Sequence, residues 1–276
     1  MNADLHCHST ISDGELAPSA VARRAKAGGV TLWSLTDHDE VGGQRDARAA
    51  ADELGMRYLC GVEISVTWAS RTVHVVGLGI DPDHPTLVDG LARMRSGRQS
   101  RAEAIAARLA ELGIDGAYEG ALRYVSNPDL ISRKHFARFL AEAGHVASVQ
   151  DAFSRYLGDG KPGYIPYRWA TLEDALAWIH AAGGEAVIAH PGRYPYTPVQ
   201  FGALFGEFID RGGKAIEVVT GSHTPDQYAE YANVARRYGF EASRGSDFHG
   251  PGPDAIEPGS LPPLPSDLKP VWERWL

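Results

Sequence analysis

The chain has 276 residues, 43% of them hydrophobic and 22% charged, with a formal net charge of −8. That length suits one large domain or two small ones, and the acidic balance excludes a general nucleic-acid binder whose whole surface is basic. No apolar run is long enough to span a membrane, the N-terminus lacks the basic and apolar regions of a signal peptide, and two cysteines offer no disulfide framework, so a cytoplasmic enzyme with buried free thiols is expected.

The chain opens on Asp4-Leu5-His6-Cys7-His8, followed within a short loop by Ser12-Asp13-Gly14. Side chains alternate along a strand, so His6 and His8 share one face while Leu5 and Cys7 take the packed one. Two imidazoles and a carboxylate arriving on a Gly-containing turn suit a divalent metal. A helix is predicted over Pro18–Ala27, stopped by Gly28-Gly29. The apolar strand Leu32–Thr36 then leads into Asp37-His38-Asp39. A helix over Arg45–Leu54 and a strand over Tyr58–Glu63 continue a βαβ rhythm, which points to a parallel sheet or barrel with helices outside. Val62–Trp68 and Thr72–Leu78 read as a hairpin turning near Ser70-Arg71.

From about Arg93 the pattern changes. Helices fit Arg101–Leu112, Ile131–Ala143 and Val149–Leu157, and no strand is predicted between Leu78 and Tyr164. Residues 93–168 hold 12 Lys and Arg against 8 Asp and Glu, a local +4 that leaves the remainder at −12. A small helical insert, basic over an acidic body, suits an anionic substrate meeting a carboxylate-lined metal site. The βα rhythm resumes with a helix over Thr171–Ala182, the strand Glu185–His190, a helix over Phe201–Arg211, the strand Ala215–Val219, a helix over Pro225–Tyr238 and a last strand, Ala242–Asp247. The Pro- and Gly-rich tail, with Trp272 and Trp275, is expected to wrap the barrel irregularly.

At or near the strand ends stand His6, His8, Asp13, His38, Glu63, His74, His190, Asp247 and His249, which include six of the 11 histidines. Active-site groups of α/β barrels gather at the C-terminal mouth of the strands, so these nine are candidate ligands of one metal cluster. Ions held roughly 3.5–4 Å apart lower the pKa of a water and clamp the attacking and leaving oxygens at phosphorus. On a phosphoester that chemistry would need no covalent enzyme intermediate. At the insert, Arg98 and Arg101 start one helix and Ser132-Arg133-Lys134-His135 start another, where helix N-termini and guanidinium groups favour phosphate. His223, in a loop after a strand, is a further histidine of interest, while His84, His145 and His180 are expected at surface or capping positions. There is no Gly-x-Gly-x-x-Gly after the first strand, no Walker loop and no Gly-x-Ser-x-Gly.

The blocks Asp4-Leu-His-Cys-His-Ser9, Ser12-Asp-Gly14, Thr36-Asp-His-Asp39, Gly61-Val-Glu63, His74, Ala189-His-Pro-Gly192 and Gly245-Ser-Asp-Phe-His249 resemble the signature of the PHP (polymerase and histidinol phosphatase) family. The resemblance implies a distorted seven-stranded (βα) barrel, here residues 1–98 and 166–276, with the helical insert 99–165 over the active site. It further implies two or three divalent metals, manganese first, with zinc or iron as alternatives. One metal would take His6, His8, Glu63 and Asp247. A second would share Glu63 and add His74 and His190, and a third would take Asp13, His38 and His249. Asp13, His38, Glu63, Asp247 and His249 would carry the chemistry, and Cys7 would stay outside the cluster.

Gly77-Leu-Gly-Ile-Asp-Pro82, Ile131-Ser-Arg-Lys-His-Phe-Ala-Arg138, Gly160-Lys-Pro-Gly-Tyr164 and His190-Pro-Gly-Arg-Tyr194 resemble a bacterial subgroup, the 3′,5′-nucleotide bisphosphate phosphatases. That likeness implies removal of the 3′-phosphate from substrates such as pAp, and trimming of short 5′-phosphorylated RNA from its 5′ end. Arg98, Arg101, Arg133 and His135 would hold the second phosphate, assisted by Lys134 or Tyr164, with His135 alternatively the acid for the leaving group. Partners would be small nucleotides or short oligoribonucleotides, with neither stable duplex binding nor a membrane. The rival readings are a histidinol-phosphate phosphatase and a non-catalytic PHP binding module.

Overall fold

The computed structural model describes residues 1–125, 127–252 and 255–276. Its frame is a sheet of seven strands lying side by side in chain order. They are β1 (Ala3–Asp4), β2 (Leu32–Leu35), β3 (Arg57–Trp68), β4 (Arg71–Leu78), β5 (Glu185–Ile188), β6 (Ala215–Thr220) and β7 (Glu241–Gly245). All neighbours pair in parallel except β4, which runs antiparallel to both β3 and β5. The first and last strands then meet. The Leu5 N–H donates to the Arg244 carbonyl (3.0 Å), the Asp247 N–H to the His6 carbonyl (2.8 Å) and the His8 N–H to the Phe248 carbonyl (2.8 Å). The sheet is therefore nearly closed into a barrel, the α/β fold expected.

The opening strand is shorter than its alternating pattern predicts. Regular pairing stops at Asp4 because side chains take over the ladder: the Cys7 N–H donates to the Thr36 hydroxyl (3.1 Å) and the Ser9 N–H to the Asp37 carboxylate (2.8 Å). β3, by contrast, runs unbroken through the predicted strand and the first arm of the hairpin. It turns through Ala69 and Ser70, both at positive φ, as a tight two-residue hairpin requires.

Helices α1 (Pro18–Ala27), α2 (Gln44–Glu53), α8 (Leu172–Ala181), α9 (Pro198–Asp210) and α10 (Pro225–Tyr238) fall within a few residues of the predicted spans. Their starts follow from local chemistry. Thr171, Thr197 and Thr224 each cap a helix with the hydroxyl and are answered by the side chain three residues on. The sequence reading missed α3 (Pro85–Arg95), because Asp81-Pro-Asp-His-Pro85 reads as a loop although Pro85 is well tolerated in a first helical turn. Gly90 lets α3 lie directly on the Trp178 ring, where a Cβ would come within 2.5 Å.

The insert comprises α4 (Arg98–Glu111), α5 (Ala117–Leu122), α6 (Arg133–Glu142) and α7 (Val149–Ala152), the last passing into a π-helical turn over Phe153–Leu157. No strand occurs between Leu78 and Tyr164 among the described residues. Ile105, Leu109, Phe136, Leu140 and Leu157 form a core there, separate from the barrel's. In the tail, Trp272 is buried against Leu78 and Val271, and Trp275 packs over Gly79.

Candidate metal centre

The barrel closure and the strand direction carry the nine singled-out side chains to one mouth. His6 and His8 follow β1, His38 follows β2, His190 follows β5, and Asp247 and His249 follow β7, while Glu63 and His74 lie within β3 and β4. Asp13 is folded back onto this mouth by Gly14, whose missing Cβ would sit 2.6 Å from the His8 carbonyl oxygen. Asp39, His190 and Asp247 adopt positive φ (51°, 28° and 54°), and such strain gathers where a site fixes its geometry.

Three groups form. His6 Nε2 and His8 Nε2 each lie 3.3 Å from Glu63 Oε2, and 3.5 and 3.3 Å from Asp247 Oδ1. The other oxygen, Glu63 Oε1, is 2.9 Å from His74 Nδ1 and 3.0 Å from His190 Nε2. Asp13 Oδ1 is 3.4 Å from His249 Nε2 and 3.9 Å from His38 Nε2. His38 also approaches Glu63 through Nδ1, at 2.9 Å. Four overlapping sets of these side chains bring donor atoms within 4.8 Å of one another.

The donor set itself tests whether cations belong here. His6 Nε2, His8 Nε2, His38 Nδ1, Asp13 Oδ1 and Glu63 Oε2 are buried without a hydrogen-bond partner, at a typical cost of about 1–3 kcal/mol each. Coordination of divalent ions removes that cost, and mixed imidazole and carboxylate donors fit manganese, iron or zinc. Electrostatics agree. Burial alone would raise Glu63, but His38, His74 and His6 overcome it and hold the carboxyl well below its usual range. His38 and His249 do the same for Asp13, and His6 and His8 for Asp247. Burial works against the charged form of His8 as well, yet Asp247 and Glu63 raise it to about 9. The carboxylates that hold a proton on His8 also attract a cation.

Behind the donors stands a supporting layer, in which sequence reasoning missed Glu217 and the part played by Asp37. Glu217, buried in β6, accepts from His6 Nδ1 (2.8 Å) and from the His190 backbone N–H (2.6 Å). It thereby presents the other nitrogen of His6 to the cluster, the orienting role carboxylates play behind metal-bound histidines. A charged residue inside the apolar run Ala215-Ile-Glu-Val-Val219 was its signal. Asp37 accepts from the Ser9 and Ser12 hydroxyls (2.7 and 2.6 Å) and pins the loop that carries Asp13. His223 accepts the Gly192 N–H (2.9 Å), stacks on Tyr231 and props the loop after His190. Cys7 points into the packed interior, where the Trp33 indole N–H reaches its sulfur at 3.4 Å.

Above the donors lies a cavity of about 470 Å³. Asp13, His38, His74, His190, Asp247 and His249 line it, and so do Arg98, Arg101, Arg133 and Lys134 from the insert side and Arg193 from the barrel. Arg98 pairs with Asp39 and lies over Trp169, with its guanidinium carbon 4.8 Å from the ring centre. Arg101 has no carboxylate partner among the described residues. Burial and the like charges of Arg133 and Arg98 push it down to about 10, so it remains a cation at neutral pH.

Two insert residues depart from expectation. His135 is buried and does not line the cavity. Its Nδ1 accepts the Ser132 N–H (3.0 Å) as half of a capping box, and burial drives it down to about 4, so it caps its own helix in the neutral form. Tyr164 also stays off the lining, beside the Arg133 guanidinium at 5.4 Å from ring centre to carbon.

The family model described as the PHP domain matches residues 4–97. A 3′,5′-nucleoside bisphosphate phosphatase of Chromobacterium violaceum is 48% identical over 273 residues, spanning 99% of this chain and 96% of its own. The chain belongs to the PHP family. The 5′-3′ exoribonuclease Rnm of Salmonella typhimurium is 42% identical, over 99% of this chain and 93% of its own. A solved structure from Bifidobacterium adolescentis, described provisionally as a metal-dependent phosphoesterase, superposes with a TM-score of 0.82 at 26% identity, covering 98% of this chain and 92% of that one. This PHP protein is accordingly a metal-dependent phosphoesterase. No helix among its described residues is long and apolar enough to cross a membrane.

Proposed function

We propose that the enzyme removes the 3′-phosphate of 3′,5′-bisphosphonucleotides such as pAp, leaving the nucleoside 5′-monophosphate, and that it trims short 5′-phosphorylated RNA from its 5′ end. The observation that carries this reading is a single cavity with two anion-seeking walls: a metal-donor floor and an insert wall bearing Arg98, Arg101 and Lys134. A substrate with phosphates at both ends of one nucleoside matches that pair. Histidinol phosphate would set an ammonium against the arginines. A cavity of this size takes a nucleotide and not a duplex.

In this reading the first ion is held by His6, His8, Glu63 and Asp247, the second by Glu63, His74 and His190, and the third by Asp13, His38 and His249. Manganese is proposed, with zinc or iron as alternatives. Bound there, divalent ions supply Lewis acidity toward phosphoryl oxygen and acidify water. The chain's own groups do the rest. Arg98 and Arg101 orient the non-reacting phosphate through charge-assisted hydrogen bonds. Arg193, whose Nη1 lies 3.3 Å from Asp247 Oδ2, faces the charge that develops at phosphorus. The segment 99–165 acts as a substrate-capping domain over a barrel of residues 1–98 and 166–276.

Phosphate release by manganese-loaded protein from pAp, a 5′-phosphorylated tetraribonucleotide and histidinol phosphate tests the proposal. Preference for pAp or the tetraribonucleotide is expected; preference for histidinol phosphate rejects it.

A further inference from the structure

The metal cavity runs on into a side cleft of about 240 Å³, sharing with it Thr72, His74, Arg133, Phe153, His190 and Arg193. The cleft leaves between the tip of the β3–β4 hairpin, at Arg71, and the insert at Gly158-Asp159. At its outer end one carboxylate stands between two guanidinium groups. Asp159 Oδ1 is 3.1 Å from Arg133 Nη1, and its Oδ2 is 3.8 Å from Arg71 Nη1. Arg71 and Asp159 are 45% and 43% exposed, and ion pairs that open to water hold by little.

The cleft answers a problem that the substrate's chemistry poses. A terminal 3′-phosphate carries three oxygens with no further substituent. In an oligonucleotide one of those oxygens is esterified to the next nucleoside, which needs a way out beside the metal donors. The cleft begins at His74, His190 and Arg193, next to those donors, and Phe153 and Tyr194 offer it aromatic faces on which a base can stack. Resting on the proposed function above, we propose that this cleft is the path of the downstream nucleotide. In it Arg71 and Arg133 bind the following phosphodiester in place of the Asp159 carboxylate. Asp159 is then a selectivity device: it neutralises the two arginines when the substrate ends at the reacting phosphate, and a longer strand must displace it.

The test compares pAp with a 5′-phosphorylated tetraribonucleotide for the manganese-loaded wild type, Arg71→Ala and Asp159→Asn. Arg71→Ala should raise KM for the tetraribonucleotide about threefold to fivefold, with pAp unchanged within twofold. The slope of log KM against log salt for the tetraribonucleotide should fall by about 0.7, the value of one lost phosphate contact on a single strand. Asp159→Asn should lower KM for the tetraribonucleotide alone. Equal effects on both substrates, or no effect of either substitution, overturn the proposal. A wild type that hydrolyses pAp and leaves the tetraribonucleotide intact rejects the cleft while sparing the phosphatase reading. Failure on both substrates rejects the two together.

Discussion

Replacing Glu217 by Gln probes the metal centre without touching a donor. The carboxylate accepts two hydrogens inside the barrel, from His6 Nδ1 at 2.8 Å and from the His190 N–H at 2.6 Å, and the residue is 1% exposed. An amide of the same shape has one acceptor. If its oxygen keeps the His190 N–H, its NH2 faces His6 Nδ1 and drives the proton to Nε2, the nitrogen aimed at Glu63 and Asp247. If its oxygen keeps His6, a buried N–H faces another donor, at a cost of about 1–3 kcal/mol. Either way the donor geometry suffers, and losses of this type lower metal affinity or activity about 10- to 100-fold. Chelator competition in a calorimeter, followed by phosphate release at saturating manganese, reads both quantities. Affinity and turnover that both stay within twofold of wild type would refute the reasoning.

Asp13→Ala should lower the manganese bound per chain by about one equivalent in elemental analysis and turnover by more than about tenfold, because Asp13 is the carboxylate beside His38 and His249. Arg101→Ala should raise KM for pAp about 10- to 100-fold, the worth of one charge-assisted hydrogen bond, with a smaller change in kcat; an equal fall in kcat at unchanged KM would argue against phosphate anchoring. His223, pushed down to about 4 by burial, is neutral in the fold and titrates near 6.5 once unfolded. Its contribution to stability is complete above about pH 6.5. It declines toward pH 4 as the unfolded state takes up the proton, by at most about 3 kcal/mol. Urea midpoints of the His223→Gln variant should therefore depend less on pH over that range, and an unchanged slope would contradict this assignment.

The barrel was readable because its strands are apolar runs and all its helices but α2 carry Pro or Thr starts. The candidate donors could be singled out because metal chemistry restricts residue type and the barrel mouth restricts position. What stayed hidden depends on packing, on side chains that meet across the barrel and on which face of a helix is buried. Glu217 looks like a misplaced charge until the histidines it orients arrive from β1 and β5. In the Ser132-Arg-Lys-His135 block, Arg133, Lys134 and His135 read as phosphate-facing residues. The helix geometry that aims Arg133 and Lys134 at the cavity turns His135 inward to cap its own helix. Helix α3 was masked by two prolines, although Leu87, Leu91 and Met94 stand at helical spacing and pack into the barrel core.

The central claim is that nine side chains, gathered by the strands and the loops that follow them, hold divalent ions at one mouth of the barrel. Crystals grown with manganese, measured at its absorption edge, test it directly. Anomalous peaks should fall between Glu63 and the pairs His6–His8 and His74–His190, with another beside Asp13. Full-occupancy peaks elsewhere, or none at this mouth, would contradict the account.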